Sequence, residues 1–453
     1  MYAHTVLRLA VGVFGFCIPS LVAISAVAQT PPGDSQPHVH VAPDQPTAQE
    51  PTHQHDMHNM SHDANQMAGN REGSGTAWLP DETPMHAIHA EVSGWTLMAH
   101  ANAFLEYLYE DGQRGSSQTG SINWLMGMAE RPLGGGHLGL RGMVSLEPWT
   151  IRGCGYPDLL ATGEICQGEA IHDRQHPHDF VMELAAEYDH SIGRGVRVQV
   201  YGGPVGEPAL GPVAFPHRLS ALSNPLAPIS HHWLDATHLA YGVVTGGVYS
   251  ARWKAETSIF NGREPDEHRT DLETGALNSW SSRLSFLPTK RWALQLSGAR
   301  LKAAEPGHDG GAPVDIDRLT ASATYHRAFQ PGSIWASTVA WGQNSESGVR
   351  ATNALLAETS LTLRERHTWF GRFEVAEKSD HDLDVESFDA FSVAKVQGGY
   401  TRYFGAWHDV RPGVGATVSA GVVPESLRDL YGGRFNAGFG VYLTIRTTEH
   451  RGE

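Results

Sequence analysis

The sequence predicts an all-β protein, a transmembrane antiparallel β-barrel of about sixteen strands carried behind a disordered N-terminal tail. Three observations carry that expectation. Apolar and polar residues alternate with period two in segment after segment between Trp95 and Ile445, as strands with two unlike faces require. The connections between these segments are alternately long and short, the layout of barrels that cross an outer membrane. Beyond residue 28 no stretch approaches the roughly 20 apolar residues of a membrane helix, so any crossing uses strands.

Composition agrees with a wall of this kind. Of 453 residues, 18% are charged, 50 are Gly, 26 are His and three are Cys. That charge content lies below the roughly 25% of soluble domains. A net charge of −16 excludes a nucleic-acid partner, which needs a basic footprint. Three cysteines exclude a disulfide-scaffold fold.

Residues 1–28 have the form of a secretory signal peptide. Arg8 precedes an apolar run from Leu9 to Ile24, and Ala26-Val27-Ala28 is a small-x-small cleavage pattern before Gln29. Pro19 and Ser20 interrupt the run, which argues against a membrane anchor. Removing Arg8 from 33 bases leaves 32 against 49 acids, a net charge of −17. Cleavage also removes Cys17. The remaining pair, Cys154 and Cys166, share a Gly-rich loop in an oxidising compartment and are expected to form a disulfide.

Residues 29–75 are rich in Pro, Gln, Asn, Asp and His and have no hydrophobic period, the composition of a disordered segment. Within it, His53, His55, Met57, His58, Met60 and His62 follow His38 and His40. Imidazole suits Cu(II), Zn and Ni, whereas thioether selects Cu(I). The mixture points to flexible capture of copper or another transition-metal ion, with no tightly held cofactor.

The barrel follows, over residues 76–453. In Trp95–Glu110 the odd positions carry Trp, Leu, Ala and Tyr, with aromatics near both ends, while His100, Asn102, Glu106 and Glu110 fall on even positions. A strand facing lipid with aromatic girdles has this form. Similar segments are Ile122–Met128, His137–Glu147, Phe180–Tyr188, Val196–Tyr201, His238–Thr245, Trp253–Phe260 and Trp280–Leu287. They continue with Trp292–Leu301, Arg318–His326, Ile334–Trp341, Leu355–Arg364, Thr368–Glu377, Phe391–Tyr403, Val414–Val422 and Phe435–Ile445. Connections such as Pro288–Lys290 and Glu365–Arg366 are short, whereas 148–179, 203–236 and 261–279 are long. Both termini then lie in the periplasm.

Two long loops concentrate donors. The first ends with His172, Asp173, Arg174, His176, Pro177, His178 and Asp179. Its three imidazoles and two carboxylates suit a borderline metal; the alternative is a set of loop-closing hydrogen bonds with an Arg174 ion pair. The second carries His217, His231, His232, Asp235 and His238. If Ser230 caps a short helix, His231, Asp235 and His238 share a face with His232 beside it. The alternative there is a packed plug held by His–Asp hydrogen bonds.

The strings Asp173-Arg174-Gln175-His176-Pro177-His178-Asp179, Glu207-Pro208-Ala209-Leu210-Gly211-Pro212, His231-His232-Trp233-Leu234-Asp235 and Phe260-Asn261-Gly262-Arg263-Glu264-Pro265-Asp266 carry a resemblance. They look like those of an uncharacterised family of Gram-negative outer-membrane barrels, over roughly residues 76–290. That family implies the fold and no activity. In layout the chain is also similar to the copper-resistance B outer-membrane proteins, whose Met-rich repeats are longer than Met57–Met67 here.

The leading functional expectation is an outer-membrane barrel, its tail in the periplasm, that binds or conducts transition-metal ions, copper first, in metal tolerance. The alternative is a general or solute-specific porin with structural loop histidines. A barrel-borne surface hydrolase is third, and no enzyme is expected, because Ser230 beside His231 is only a sequence neighbour. The expected partners are outer-membrane lipid, metal ions and further copies in a homo-trimer.

Overall fold

All sixteen alternating segments are strands of one closed ring. The computed structural model describes residues 71–305, 312–385, 387 and 390–448. The tail residues His53, His55, Met57, His58, Met60 and His62 lie outside the described residues. The first strands are β1 (Ile88–Val92), β2 (Trp95–Glu110), β3 (Ser117–Leu133), β4 (Gly136–Val144), β5 (Tyr156–Cys166) and β6 (Glu169–Gln175). Next come β7 (Val181–Gly193), β8 (Val196–Gly206), β9 (Ala240–Tyr249), β10 (Trp253–Phe260), β11 (Ser279–Thr289), β12 (Trp292–Glu305) and β13 (Val314–Gln330). The last are β14 (Ser333–Glu346), β15 (Thr352–Leu363), β16 (His367–Lys378), β17 (Phe391–Tyr403), β18 (Val410–Val422) and β19 (Phe435–Thr447).

From β7 to β19 each strand pairs antiparallel with the next. β19 closes onto β2, with Phe439 opposite Tyr109 and Leu443 opposite Leu105. The ring is completed through β3, β4 and β7, so each of the sixteen ring strands is paired on both sides.

Alternation along the strands decides which face each residue takes. On β19, Phe435, Phe439, Val441, Leu443 and Ile445 are exposed on the outside, while Asn436, Tyr442, Thr444 and Arg446 are buried inside. Aromatic residues gather at both ends of the apolar belt. Trp292, Tyr325 and Trp335 pack ring against ring at the short-turn end. Tyr107, Tyr109 and Phe439 do so at the long-loop end.

Inside the ring the inward residues carry both signs. Glu106, Arg141, Glu183, Lys254, Glu256, Arg283, Arg372 and Glu374 are all buried. Buried charge must be paired, and chain entering from both ends supplies partners. From the short-turn end, Glu72 receives Arg141 and Lys254, while the Thr76 carbonyl and hydroxyl accept from Lys254 and Arg283. From the long-loop end, the β8–β9 connection crosses the lumen and bonds to many strands. Ala209 N donates to Ser258 Oγ at 2.7 Å, Asn224 Nδ2 to Gln397 Oε1 at 2.9 Å, and Asn102 Nδ2 to the Leu222 carbonyl at 2.9 Å. Gly342 on the wall has no side chain where the Trp233 backbone rests. The connection's Ile229, Trp233 and Leu234 join Leu159 and Leu160 in an apolar cluster against Ala340, Leu356 and Val393.

Three expectations are corrected. The boundary of the disordered tail at residue 75 is too late, because Arg71, Ser74 and Thr76 are buried and Glu72 is bonded inside the ring. Loop 148–179 contains the hairpin β5–β6, closed by the Cys154–Cys166 disulfide. It escapes the period-two test because it packs into the lumen on both faces. β1 is an additional short strand paired with the start of β2, outside the ring.

Leu296, on β12 opposite Leu284, points outward and is 55% exposed. Replacing it with Arg should cost about 2–4 kcal/mol of barrel stability if that face meets the bilayer midplane. Urea unfolding of the lipid-reconstituted protein reads the difference.

Candidate functional site

Five of the loop histidines singled out in the sequence meet inside the barrel. Three come from the β8–β9 connection. After Pro228 the chain makes one helical turn over His231–Leu234, then a 3₁₀ turn over Ala236–His238. Ser230 does not cap the turn; its hydroxyl donates to Glu374 Oε1 at 2.6 Å, so it forms no nucleophile pair with His231. The other two, His176 and His178, lie on the extended chain between β6 and β7. Ring centroids of His176, His231 and His232 are separated by 6.1, 6.0 and 5.3 Å. His238 lies 5.3 Å from both His178 and His231, and Phe215 packs on the three.

Each ring is oriented by an acceptor at Nδ1. His231 Nδ1 donates to Asp235 Oδ1 at 2.8 Å, His232 to Glu264 Oε1 at 3.0 Å, and His178 to Glu147 at 3.0 Å. His176 Nδ1 lies 3.2 Å from Glu164 Oε2, and His238 Nδ1 donates to the Asp235 carbonyl at 2.8 Å. The Nδ1–H tautomer follows for all five, leaving Nε2 with a lone pair. Nε2 of His176, His232 and His238 is buried without a hydrogen-bond partner. Gly163, at φ +116°, lets the β5–β6 backbone lie against the His232 ring where any side chain would collide.

The carboxylates are themselves held. Arg218 binds Asp235 Oδ2 at 2.8 Å and Glu358 Oε1 at 2.5 Å, and Arg269 joins Glu164 to Asp179. Tyr241 also donates to Asp179, at 2.5 Å. Burial, followed by Arg269, pushes the His176 imidazole well below its ordinary value. Burial lowers His231 as well, against the opposing pull of Asp235. For His178 burial works the same way, but Glu147 outweighs it and the ring stays above its usual value. Burial pushes the Glu164 carboxyl up to about 8 in spite of Arg269.

Not every expected donor joins. His172 donates from Nδ1 to the Asp382 carbonyl at 3.0 Å. Asp173 accepts from Leu160 N and pairs with Arg114, both at 2.8 Å. Asp179 and Asp235 hold side chains around the cluster and face Arg269 and Arg218. The expected set of five donors in residues 172–179 therefore divides: the backbone turns left-handed at Asp173 (φ +56°), and His172 and Asp173 are taken by Asp382 and Arg114. Arg174 makes no ion pair among the described contacts; it donates to the Gly155 carbonyl at 3.2 Å. Sequence reasoning missed Glu147 and Glu164, which no motif marks. It quoted Glu264 in a motif without giving it a role.

One ring nitrogen from each of His176, His231 and His232 lies within 4.8 Å of the others. His232, Glu264 and Glu305 form a second such group. Toward the long-loop end, a cavity of about 280 Å³ is bounded by Trp149, the Cys154–Cys166 disulfide, Pro177 and Arg269.

No protein-family model and no curated protein matches the chain. Among solved structures it is similar to Salmonella typhi OmpF, with 10% identity over 79% of this chain and 100% of that one, TM-score 0.48. It is also similar to an anion-selective porin from Comamonas acidovorans, with 10% identity over 78% and 99%, TM-score 0.46. The outer-membrane channel DcaP of Acinetobacter baumannii gives 8% identity over 80% and 100%, TM-score 0.44.

Burial pushes His238 down to about 3 from 6.5. The folded ring is neutral, so below pH 6.5 the unfolded chain takes up a proton that the folded one does not. Stability present above pH 6.5 is lost as pH falls. The group contributes about 2 kcal/mol of that loss by pH 5. His238→Gln should shrink the fall in unfolding free energy between pH 7 and pH 5 by this amount, measured by urea titration at both.

Proposed function

We propose that this protein is a porin-type channel of the outer membrane whose lumen is closed, in the state described, by its own β8–β9 connection. The observation that carries the reading is the combination of a closed sixteen-stranded ring, an apolar outer belt and a polar lumen crossed by that connection. A wall with both signs of charge favours polar solutes without strong selection by charge. The connection is attached by hydrogen bonds and ion pairs rather than by strand pairing, so its displacement leaves the ring intact. Transition-metal binding is a second reading, copper included. The convergence of His176, His231 and His232 favours it. Metal tolerance would be its cellular consequence.

Arg218 is the group that couples the connection to the wall. Arg218→Ala leaves the Asp235 carboxylate buried without its guanidinium partner and Glu358 with Arg372 alone, a loss of about 3–5 kcal/mol. In planar bilayers the unaltered protein should show small, infrequent conductance, and Arg218→Ala should raise it severalfold. A channel role is refused by the absence of conductance in both proteins, and the plug by a large steady conductance in the unaltered one.

A further inference from the structure

The lumen contains buried imidazole nitrogens for which the protein supplies no donor, among them Nε2 of His176 and of His232. His176, His231 and His232 bring ring nitrogens within 4.8 Å of one another, in a buried place. Nδ1 of His231 and of His232 is bonded to a carboxylate, Asp235 and Glu264 respectively, while His176 Nδ1 donates to the Pro177 carbonyl at 3.3 Å with Glu164 Oε2 3.2 Å away. Carboxylate–imidazole pairs of this form orient and strengthen imidazole ligands in metal sites.

We propose that His176, His231 and His232 together bind one divalent transition-metal ion of borderline softness, Zn(II), Cu(II) or Ni(II), and that the ion clamps the β8–β9 connection to the chain between β6 and β7. The inference does not depend on whether the lumen conducts.

Four further points agree. The donor set is all imidazole nitrogen, which suits these ions and not Mg(II) or Ca(II). A tetrahedral ion about 2.0–2.1 Å from each nitrogen holds them roughly 3.3 Å apart, so closure asks for side-chain movements on the order of 1 Å. The surroundings favour a cation. Glu147, Asp179, Asp235 and Glu264 surround the cluster, against the guanidinium groups of Arg218, Arg269 and Arg318. The cavity at the long-loop end lies next to the cluster, since Pro177 and Arg269 line it and Arg269 binds Glu164 directly.

The clamp has a structural meaning. His176 follows the β5–β6 hairpin, whereas His231 and His232 belong to the connection that crosses the lumen. An ion held by both would join two inward-folded segments that otherwise meet through side-chain contacts. It would hold the connection in place as Arg218 does, from the opposite side of Asp235.

The test separates this site from the tail. In the full chain His38, His40, His53, His55, His58 and His62 are replaced by Ala, and Met57, Met60 and Met67 by Leu. This protein is titrated with Co(II), whose visible bands report tetrahedral nitrogen ligation, and then with Zn(II) in competition. One equivalent is expected, together with a rise in the temperature of the heat-modifiable gel shift. His176→Gln and His232→Gln should each weaken binding by more than about tenfold, and each by more than Glu305→Gln does. The nitrogen superhyperfine pattern of bound Cu(II), recorded without any lumen substitution, should show three equivalent-type nitrogens and covers the case of a variant that does not fold. The proposal is overturned if the tail-substituted chain binds no metal. It is equally overturned if His176→Gln binds as well as the parent, or if Glu305→Gln alone abolishes binding.

Discussion

The Arg218 guanidinium is fully buried between two carboxylates from different parts of the molecule, Asp235 of the lumen-crossing connection and Glu358 of the wall. Its Nη1 also donates to the Val213 carbonyl at 2.8 Å, within the connection itself. With burial working against ionisation, Arg218 is the strongest influence holding the Asp235 carboxyl well below the usual range. Asp235 is thereby kept as the acceptor that orients His231 and, through its backbone carbonyl, His238. The course of the connection and the orientation of the imidazole cluster therefore depend on one ion-pair network.

A closed barrel in a membrane turns the usual arrangement of a protein inside out. Its apolar side chains meet lipid, and the polar residues of every strand face a confined lumen. Filling that lumen with chain is compatible with stability only if each removed hydration is replaced. The entering segments show how this is done. Glu72 answers Lys254 and Arg141. Asp158 on the β5–β6 hairpin meets Lys395 at 2.6 Å, which also holds Glu110 at 2.7 Å. The imidazole cluster is one of the places that depart from this rule, as Glu106 and Arg318 also do, since Nε2 of His176, His232 and His238 is left without a donor.

Much of the barrel was legible in the sequence because a ring strand has one simple demand, an outward face of one character and an inward face of the other. Trp95–Glu110 and Phe435–Ile445 satisfy it plainly, and the structure pairs them as the closing seam. The hairpin β5–β6 has no such demand and was missed. The loop histidines were legible as a chemical type. Their division was not, because His172 and Asp173 look as metal-ready as His176 until Asp382 and Arg114 arrive from distant loops.

By itself the sequence determined the strand number, the alternation of loop lengths and the identity of the imidazoles. Each is a local property, set by side-chain period or by the composition of a short segment. Tertiary structure alone decided that the β8–β9 connection turns into the lumen and that residues 71–79 enter from the other end. It also decided that His176 meets His231 and His232. These outcomes depend on which buried charge finds which partner across the ring, between residues as far apart as Arg218 and Glu358. No periodicity along the chain encodes a pairing of that kind.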